Sequence, residues 1–245
     1  MNAFLSKGIV VTLLSLYSIP AISQLDLSKY QLGITGGIFV YQGDLTPSQF
    51  GSFQTARFTG NLFISRILNP SFSLRTNLTY GNIAASDANY SKPEWRQQRN
   101  FGFRSPVFEV SELLVYNLNS RKKISPYVFG GVGVSFFNIA RDYSNFNPEY
   151  FTAEPELSLG LNEDINHSPP AIAPVIPLGI GIKYILSDKI SVIAESSYRL
   201  TMTDYIDGFS QSANPSKFDH YQNYSVGLIF SFGKRKGIDC PVVKE

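Results

Sequence analysis

Few side chains in this sequence have the type and spacing that chemistry requires. The chain has two histidines, His167 and His220, and one cysteine, Cys240. The neighbours His167 and Ser168 are a histidine beside a hydroxyl, which is the pair that general-base activation of a serine needs. Two prolines follow at once, so we expect a loop position without a catalytic role. A lipid-modifying enzyme is therefore an alternative and not the favoured class, and no cofactor is predicted.

Acidic residues gather in the same region of the chain, residues 138–175, as Glu154, Glu156, Glu163 and Asp164. Carboxylates could bind calcium, but the tight Asp-x-Asp-x-Asp-Gly spacing of a calcium loop is missing. We interpret these residues as a solvated acidic loop, and no metal site is predicted.

Cys240 lies on a C-terminal tail, after the basic triplet Lys234, Arg235 and Lys236. A lone cysteine in an exported chain is either free or paired with another molecule. One hypothesis is an intermolecular disulfide with a periplasmic protein; the alternative is a free thiol with no role. The triplet is either part of a partner-binding surface, a solvated tail or a contact with lipid headgroups.

The N-terminus has the features of a signal peptide, predicted over residues 1–23. Lys7 precedes a short apolar run, and the small residues Ala21 and Ser23 precede the expected cleavage site. Removal of Lys7, the only charged residue in this segment, changes the formal net charge from +2 to +1. Such a balance favours neither a nucleic-acid partner nor a polyanionic substrate.

The elements that must position these residues are strands. Eight segments of about ten to thirteen residues alternate apolar and polar side chains, the length of a tilted strand that crosses a bilayer. They are residues 30–42, 55–65, 72–81, 107–118, 127–137, 176–186, 190–201 and 223–232. In the fourth, Glu112 shares the face of Val110 and Leu114, which indicates a bulge or a wrong register.

The connections between these segments alternate between long and short, as in transmembrane barrels with long external loops and short periplasmic turns. We therefore predict an all-β fold, an eight-stranded antiparallel transmembrane β-barrel of OmpA/OmpX-like size, over residues 24–233. It would lie in the outer membrane with both termini in the periplasm, and residues 234–245 would form a periplasmic tail. Aromatic residues at the strand ends, Tyr41, Tyr127 and Phe137 among them, are expected in the interfacial girdles.

The competing fold is a soluble β-sandwich or a lipocalin-like barrel, which would bury the apolar face. The opposite face argues against it, because it carries charged side chains that suit a polar lumen. We expect the lumen residues Arg57, Arg75 and Arg199 to pair with Glu195 and Glu109, since an unpaired charge in a narrow lumen is costly. This network would stabilise the barrel without a transport role.

Two motifs follow the first and seventh segments, which both neighbour the eighth: Gly43 and Asp44, then Thr203, Asp204, Tyr205 and Asp207. We expect them to meet at the external rim. Turn-forming bonds of the aspartate side chains account for Asp44, Asp204 and Asp207 without a ligand.

The same motifs carry a resemblance to a known family. Residues 41–45 (YQGDL), Ser125-Pro126-Tyr127, residues 198–207 (YRLTMTDYID) and the ending Phe232-Gly233 with Cys240-Pro241 resemble the PorG-like small outer-membrane β-barrels. That family includes a component of the type IX secretion system and relatives without an assigned role. The resemblance implies a non-enzymatic barrel that anchors a periplasmic lipoprotein ring to the membrane. An adhesion or ligand-binding barrel that acts through its external loops is the further alternative.

Overall fold

The computed structural model describes residues 26–48, 50–119, 122–213 and 218–233. The predicted signal peptide and the tail with Lys234, Arg235, Lys236 and Cys240 lie outside these residues.

Eight long strands close into an antiparallel barrel, which confirms the predicted fold class. They pair in the order β3-β2-β1-β9-β8-β7-β5-β4, and β3 pairs with β4 to close the sheet. The strands are β1 (Tyr30–Gln42), β2 (Arg57–Ile67), β3 (Phe72–Ser86), β4 (Gly102–Asn117), β5 (Ile124–Phe137), β7 (Ile172–Ile185), β8 (Ile190–Thr201) and β9 (His220–Ser231). A short strand, β6 (Ala140–Asp142), pairs with the first three residues of β4.

Two predicted strands, residues 30–42 and 190–201, match the structure, and the other six differ at one or both ends. The largest difference is in the third and fourth strands, which continue as a paired ladder as far as Ser86 and Gly102. This ladder extends the barrel beyond its other strands on the side of the long loops, where the loop residues cover it.

The fourth strand contains no bulge, so the expectation of a bulge or a wrong register is wrong. β4 keeps one uninterrupted register with both β3 and β5. Glu112 does face outward with Val110 and Leu114, and it accepts a hydrogen bond from Thr76 Oγ1 at 2.7 Å. The Thr76 hydroxyl is therefore the hydrogen-bond partner of the outward Glu112 carboxylate.

The outer surface of the barrel is an apolar belt. Large hydrophobic side chains are exposed on seven of the eight long strands, and on β8 the exposed residue is Ala194. The exposed set includes Ile34, Leu62, Ile64, Leu74, Leu78, Leu114, Val128, Val132, Leu178, Ile180, Val226 and Leu228. A soluble monomer rarely exposes a continuous apolar surface of this extent. The belt is the surface that a transmembrane barrel presents to lipid.

The lumen is filled with side chains rather than open. Near the short turns, one core consists of Phe63, Leu113, Val115, Tyr127, Phe129, Ile193 and Ile229. Gly179 and Gly181 make room for it, because a Cβ at either position would overlap the ring of Phe129 or Tyr127. Tyr41, Tyr127 and Phe137 are buried inside, so their expected place in the outer aromatic girdles is wrong.

The long loops fold into a cap over the other end of the barrel. We call residues 43–48, 50–56, 87–101, 138–171, 202–213 and 218–219 the cap; it contains α1 (Trp95–Arg99) and α2 (Pro155–Asn166). A second core joins cap and barrel through residues such as Phe39, Tyr41, Leu45, Phe101, Phe103, Leu161, Ile206, Phe209 and Tyr221. In the part of the chain described, no helix has the length and hydropathy of a membrane span.

Candidate functional site: the carboxylates of the lumen and cap

An ion pair occupies the lumen near the short turns. Arg75 on β3 contacts Glu195 on β8, with 2.5 Å between Nη1 and Oε1, and both side chains are almost fully buried. Tyr127 on β5 donates a hydrogen bond to the same Glu195 oxygen at 2.7 Å. The guanidinium also lies 4.3 Å from the centre of the Phe63 ring. The negative charge of Glu195 therefore has a cation and a hydroxyl as partners.

A second ion pair lies higher in the lumen. Arg199 Nε is 3.3 Å from Glu109 Oε2, and Glu109 is fully buried. Tyr221 donates to the same oxygen at 3.0 Å, while Ser111 donates to the other oxygen at 3.2 Å. The structure thus brings together four of the five charged residues that we expected in the lumen.

Arg57 is the exception, and its expected place in the lumen network is wrong. It begins β2 at the edge of the cap, its side chain is exposed, and its Nη1 donates to the Ala56 carbonyl at 2.8 Å. At the edge of the cap, the Arg57 guanidinium stays in water. It therefore has no desolvation cost that a paired carboxylate would need to offset.

The rim motifs meet around Tyr41, at the upper end of β1. Tyr41 Oη lies 2.7 Å from Asp207 Oδ2 and 2.6 Å from Asp219 Oδ1. Gly43 faces the same spot: a Cβ there would lie 1.9 Å from Asp219 Oδ1, so only glycine fits. Asp204 accepts a hydrogen bond from Ser210 Oγ at 2.7 Å. One oxygen each of Asp204 and Asp219 is buried with no hydrogen-bond partner.

Burial raises the pKa of three carboxyl groups in this cluster. The pKa of Asp207 rises to about 8, and nearby Asp44 and Asp204 add to the rise. Burial, then the charge of Asp207, raises the pKa of Asp219 well above its usual range. Burial raises the pKa of Asp204 to about 6. The common cause is the removal of water from the charged form.

The turn interactions expected of the motif aspartates are present only in part. Asp207 Oδ1 accepts the Phe209 amide at 2.8 Å, which is an Asx turn, and Thr203 Oγ1 accepts the Tyr205 amide at 3.3 Å. Asp207 also uses its second oxygen to contact the barrel. Local turn formation therefore explains one of its two carboxyl oxygens.

Charge balance is different in the α1 part of the cap. Fully buried Asp87 accepts hydrogen bonds from Arg96 Nη1 at 2.7 Å and from Arg99 Nε at 2.6 Å. Both guanidiniums also reach the backbone carbonyl of Asp44, at 3.3 to 3.4 Å. These two arginines hold α1 on the first long loop.

The acidic residues of the α2 region are not all solvated, so that interpretation is wrong for Asp164. Asp164 is fully buried and accepts the backbone amides of Ser210, Gln211 and Ser212 at 2.9 to 3.3 Å. Glu154 precedes α2, and Glu156 and Glu163 lie on it. Among the described residues, no group of three or more His, Cys, Asp or Glu side chains is arranged to hold a metal ion.

His167 lies just after α2, and its ring packs on Tyr205 with 4.5 Å between the ring centres. His220 lies at the start of β9, and its Nδ1 accepts the Thr201 amide at 3.4 Å. The contacts of both rings are thus structural. Cys240 and the basic triplet stay predictions, because they lie outside the described residues.

Sequence reasoning missed Tyr41, Asp219, Asp87, Arg96 and Arg99 as site residues. One signal for Tyr41 was present: by strand alternation it shares a face with Gln31, Gly33 and Thr35, which point inward. Asp219 joins Tyr41 across 178 positions of sequence, and no local pattern marks such a contact.

Comparison with known proteins gives a family and a set of similar folds. A family described as a domain of unknown function (DUF6089) matches residues 8–233. No curated protein matches the sequence.

Several solved outer-membrane barrels are similar in fold. Neisserial surface protein A has 14% identity and a TM-score of 0.45, over 83% of this chain and 97% of that one. Ail of Yersinia pestis has 10% identity and a TM-score of 0.44, over 82% and 96%. A major outer membrane protein from Thermus thermophilus has 10% identity and a TM-score of 0.46, over 82% and 98%.

Proposed function

The chain belongs to the DUF6089 family, and we propose that it is a non-conducting outer-membrane β-barrel that anchors or assembles periplasmic components of a protein secretion machine. The observation that carries this proposal is the filled lumen inside an apolar outer belt. A barrel that holds no open passage acts through the surfaces at its two ends.

The filled lumen disfavours diffusion through the barrel. The ion pairs Arg75–Glu195 and Arg199–Glu109 cross it at two heights, and an apolar core surrounds the first. An eight-stranded barrel has an interior just wide enough for its own side chains. Transport would require the loss of buried ion pairs, each of which is costly to break.

The end with the short turns is the surface that we assign to partner binding. β1 begins and β9 ends there, because Gln31 pairs with Ser231. The described part of the chain therefore ends at this end of the barrel, at Gly233. Short turns are periplasmic in outer-membrane barrels. Lys234, Arg235, Lys236 and Cys240 would then face the periplasm, and the resemblance to PorG-like barrels suggests a lipoprotein ring as the partner.

The test is affinity purification of the full-length protein from native membranes after mild crosslinking. We expect a periplasmic lipoprotein to co-purify, and expect Lys234→Gln, Arg235→Gln and Lys236→Gln together to reduce its recovery. Lys122 and Lys123 are exposed in a turn at the same end, so their change to Gln is the matched control. Equal recovery from both variants would remove the role of the tail, and recovery of no periplasmic protein would remove the anchoring function.

Cys240 has its own test, because it is the only cysteine of the chain. If it forms an intermolecular disulfide, a non-reducing gel of native membranes will show a larger species that Cys240→Ser removes. Identical mobility of the two proteins would eliminate the disulfide and leave the basic triplet as the candidate contact.

Binding at the opposite end is the second candidate function. The cap is ordered by buried interactions, with Asp87 between two arginines, and an ordered surface suits recognition of an external ligand. If crosslinked partners depend on cap residues such as the exposed Tyr150 and not on the tail, adhesion or ligand binding replaces anchoring.

A further inference from the structure

We propose that Asp207, Tyr41 and Asp219 share a proton at neutral pH, and that this proton fastens the cap to the barrel as a pH-sensitive latch. The inference stands on the geometry of one phenol between two carboxyl groups and is independent of the proposed function.

The geometry requires a protonated carboxyl group. Tyr41 Oη lies within 2.7 Å of one oxygen of Asp207 and one oxygen of Asp219. A tyrosine has one hydrogen to donate, whereas an ionised carboxylate can only accept. Two ionised aspartates cannot both bond to this phenol, so at least one of them donates its own hydrogen to the tyrosine oxygen.

The hydrogen bonds of Asp207 fit the role of donor. Its Oδ1 accepts the Phe209 amide at 2.8 Å and so behaves as the carbonyl oxygen of an acid. Its Oδ2, the oxygen near Tyr41, is then the hydroxyl. Tyr41 then donates its own hydrogen bond to Asp219 Oδ1. The other oxygen of Asp219 is buried without a partner. Burial raises the pKa of Asp207 to about 8 and that of Asp219 well above its usual range, so both acids favour the shared proton.

Three arginines on the surrounding described elements bind groups other than Asp207 and Asp219. Arg96 and Arg99 on α1 bind Asp87, and Arg141 on β6 donates to the carbonyls of Asp164 and Gly208. The other titratable groups that face the cluster are Asp44, Asp204, Asp164, Tyr205 and His220. Most of these are acids, so loss of the shared proton adds negative charge to an already acidic site.

The latch joins the last long loop to the barrel wall. Asp207 lies between Ile206 and Phe209, both fully buried in the core of the cap, and Phe209 stacks on Phe101 with 4.6 Å between ring centres. Tyr41 belongs to β1. Repulsion between two ionised carboxylates at this point would push residues 202–213 off the barrel.

Infrared spectroscopy tests the proton directly in the detergent-solubilised full-length protein. We expect the carbonyl stretch of a protonated carboxylic acid at pH 7, its reversible loss at alkaline pH, and its reduction in the double variant Asp207→Asn with Asp219→Asn. Asp142→Asn removes an exposed aspartate of β6 and is the matched control. A wild-type spectrum at pH 7 without this band would overturn the proposal, whether or not the variants fold.

Protease protection of residues 202–213 tests the latch. Relative to the Asp142→Asn control, wild-type cleavage should rise by up to about tenfold per pH unit between about pH 5 and about pH 8 and then level off. Asp207→Asn should have a smaller slope, most clearly above the pKa of about 6 of Asp204, because an asparagine amide can donate to Tyr41 and its carbonyl can accept from Phe209. The same slope in Asp207→Asn would contradict the latch. Calcium-dependent protection that is lost in the double variant would also contradict it, because the cluster would then hold a cation.

Discussion

The lumen and the junction between cap and barrel each contain a tyrosine hydroxyl bonded to a buried carboxyl group, and they balance its charge in different ways. In the lumen, Tyr127 and Arg75 share one oxygen of Glu195. Where the cap meets the barrel, Tyr41 of β1 contacts Asp207 and Asp219, and the nearby arginines bind other groups. A cation neutralises the first site at every pH near neutrality, whereas a proton neutralises the second. We therefore expect the site where the cap meets the barrel to respond to pH.

The largest effect is expected where a buried cation is removed. Arg75→Met leaves Glu195 buried without its ion-pair partner, and breaking a buried pair this way costs about 3 to 5 kcal/mol. Unfolding of the detergent-solubilised barrel in urea should show the loss. Adding Glu195→Leu should restore most of the stability, because no unpaired charge then remains. A single variant as stable as the wild type would mean that water reaches Glu195 and that the lumen is not closed.

Removing the carboxylate that both α1 arginines bind should open the cap and leave the barrel folded. Asp87→Asn separates Arg96 and Arg99 from a fully buried charge partner, which should cost the cap about 3 kcal/mol. Trp95, the only tryptophan of the chain, lies on α1, so its fluorescence reports on the cap alone. If barrel and cap unfold together in this variant, the two regions are one cooperative unit.

The same substitution at the two tyrosines compares the sites directly. Tyr127→Phe leaves Glu195 with Arg75 and should cost about 1 kcal/mol, near the net value of one hydrogen bond. Tyr41→Phe leaves two buried carboxyl groups without the phenol and should cost about 2 to 3 kcal/mol in cap stability, more at alkaline pH than at acid pH. Equal costs with equal pH dependence would contradict the difference in charge balance.

The smallest effect concerns a carboxylate whose partner is a hydroxyl. Glu112 faces the apolar belt beside Thr76. Glu112→Leu should raise the stability of the barrel in lipid vesicles by about 1 kcal/mol, since a charged side chain on the lipid face is destabilising. Leu114→Glu, two positions along the same face, is the opposite control and should lower it. Loss of stability in Glu112→Leu would show that the hydrogen bond with Thr76 outweighs the exposure to lipid.

The sequence was most informative about the wall of the barrel. Strand residues alternate between two faces, so the polar and apolar patterns locate inside and outside without further information. That reasoning placed Arg75, Glu109, Glu195 and Arg199 in one lumen, and the structure pairs them as two ion pairs. The same alternation points Tyr41 and Tyr127 inward, although their side chains suit a membrane interface.

The cap was beyond the reach of such patterns. Its interactions join residues far apart in sequence, such as Tyr41 with Asp207 and Asp164 with Ser210, and loops have no repeat that fixes the direction of a side chain. The aspartates of the rim motif could be read as turn residues, and Asp207 is one. Whether its second oxygen met water, a cation or another acid depended on how the last long loop packs against the barrel.

The amino-acid sequence by itself therefore determined the barrel, its strand number and the two faces of its wall, because a period of two is a local property of each strand. Only the tertiary structure decided that the lumen is filled, that Arg57 lies outside it, and that two acids share one tyrosine. Those outcomes depend on which surfaces meet when the sheet closes and the loops fold over it.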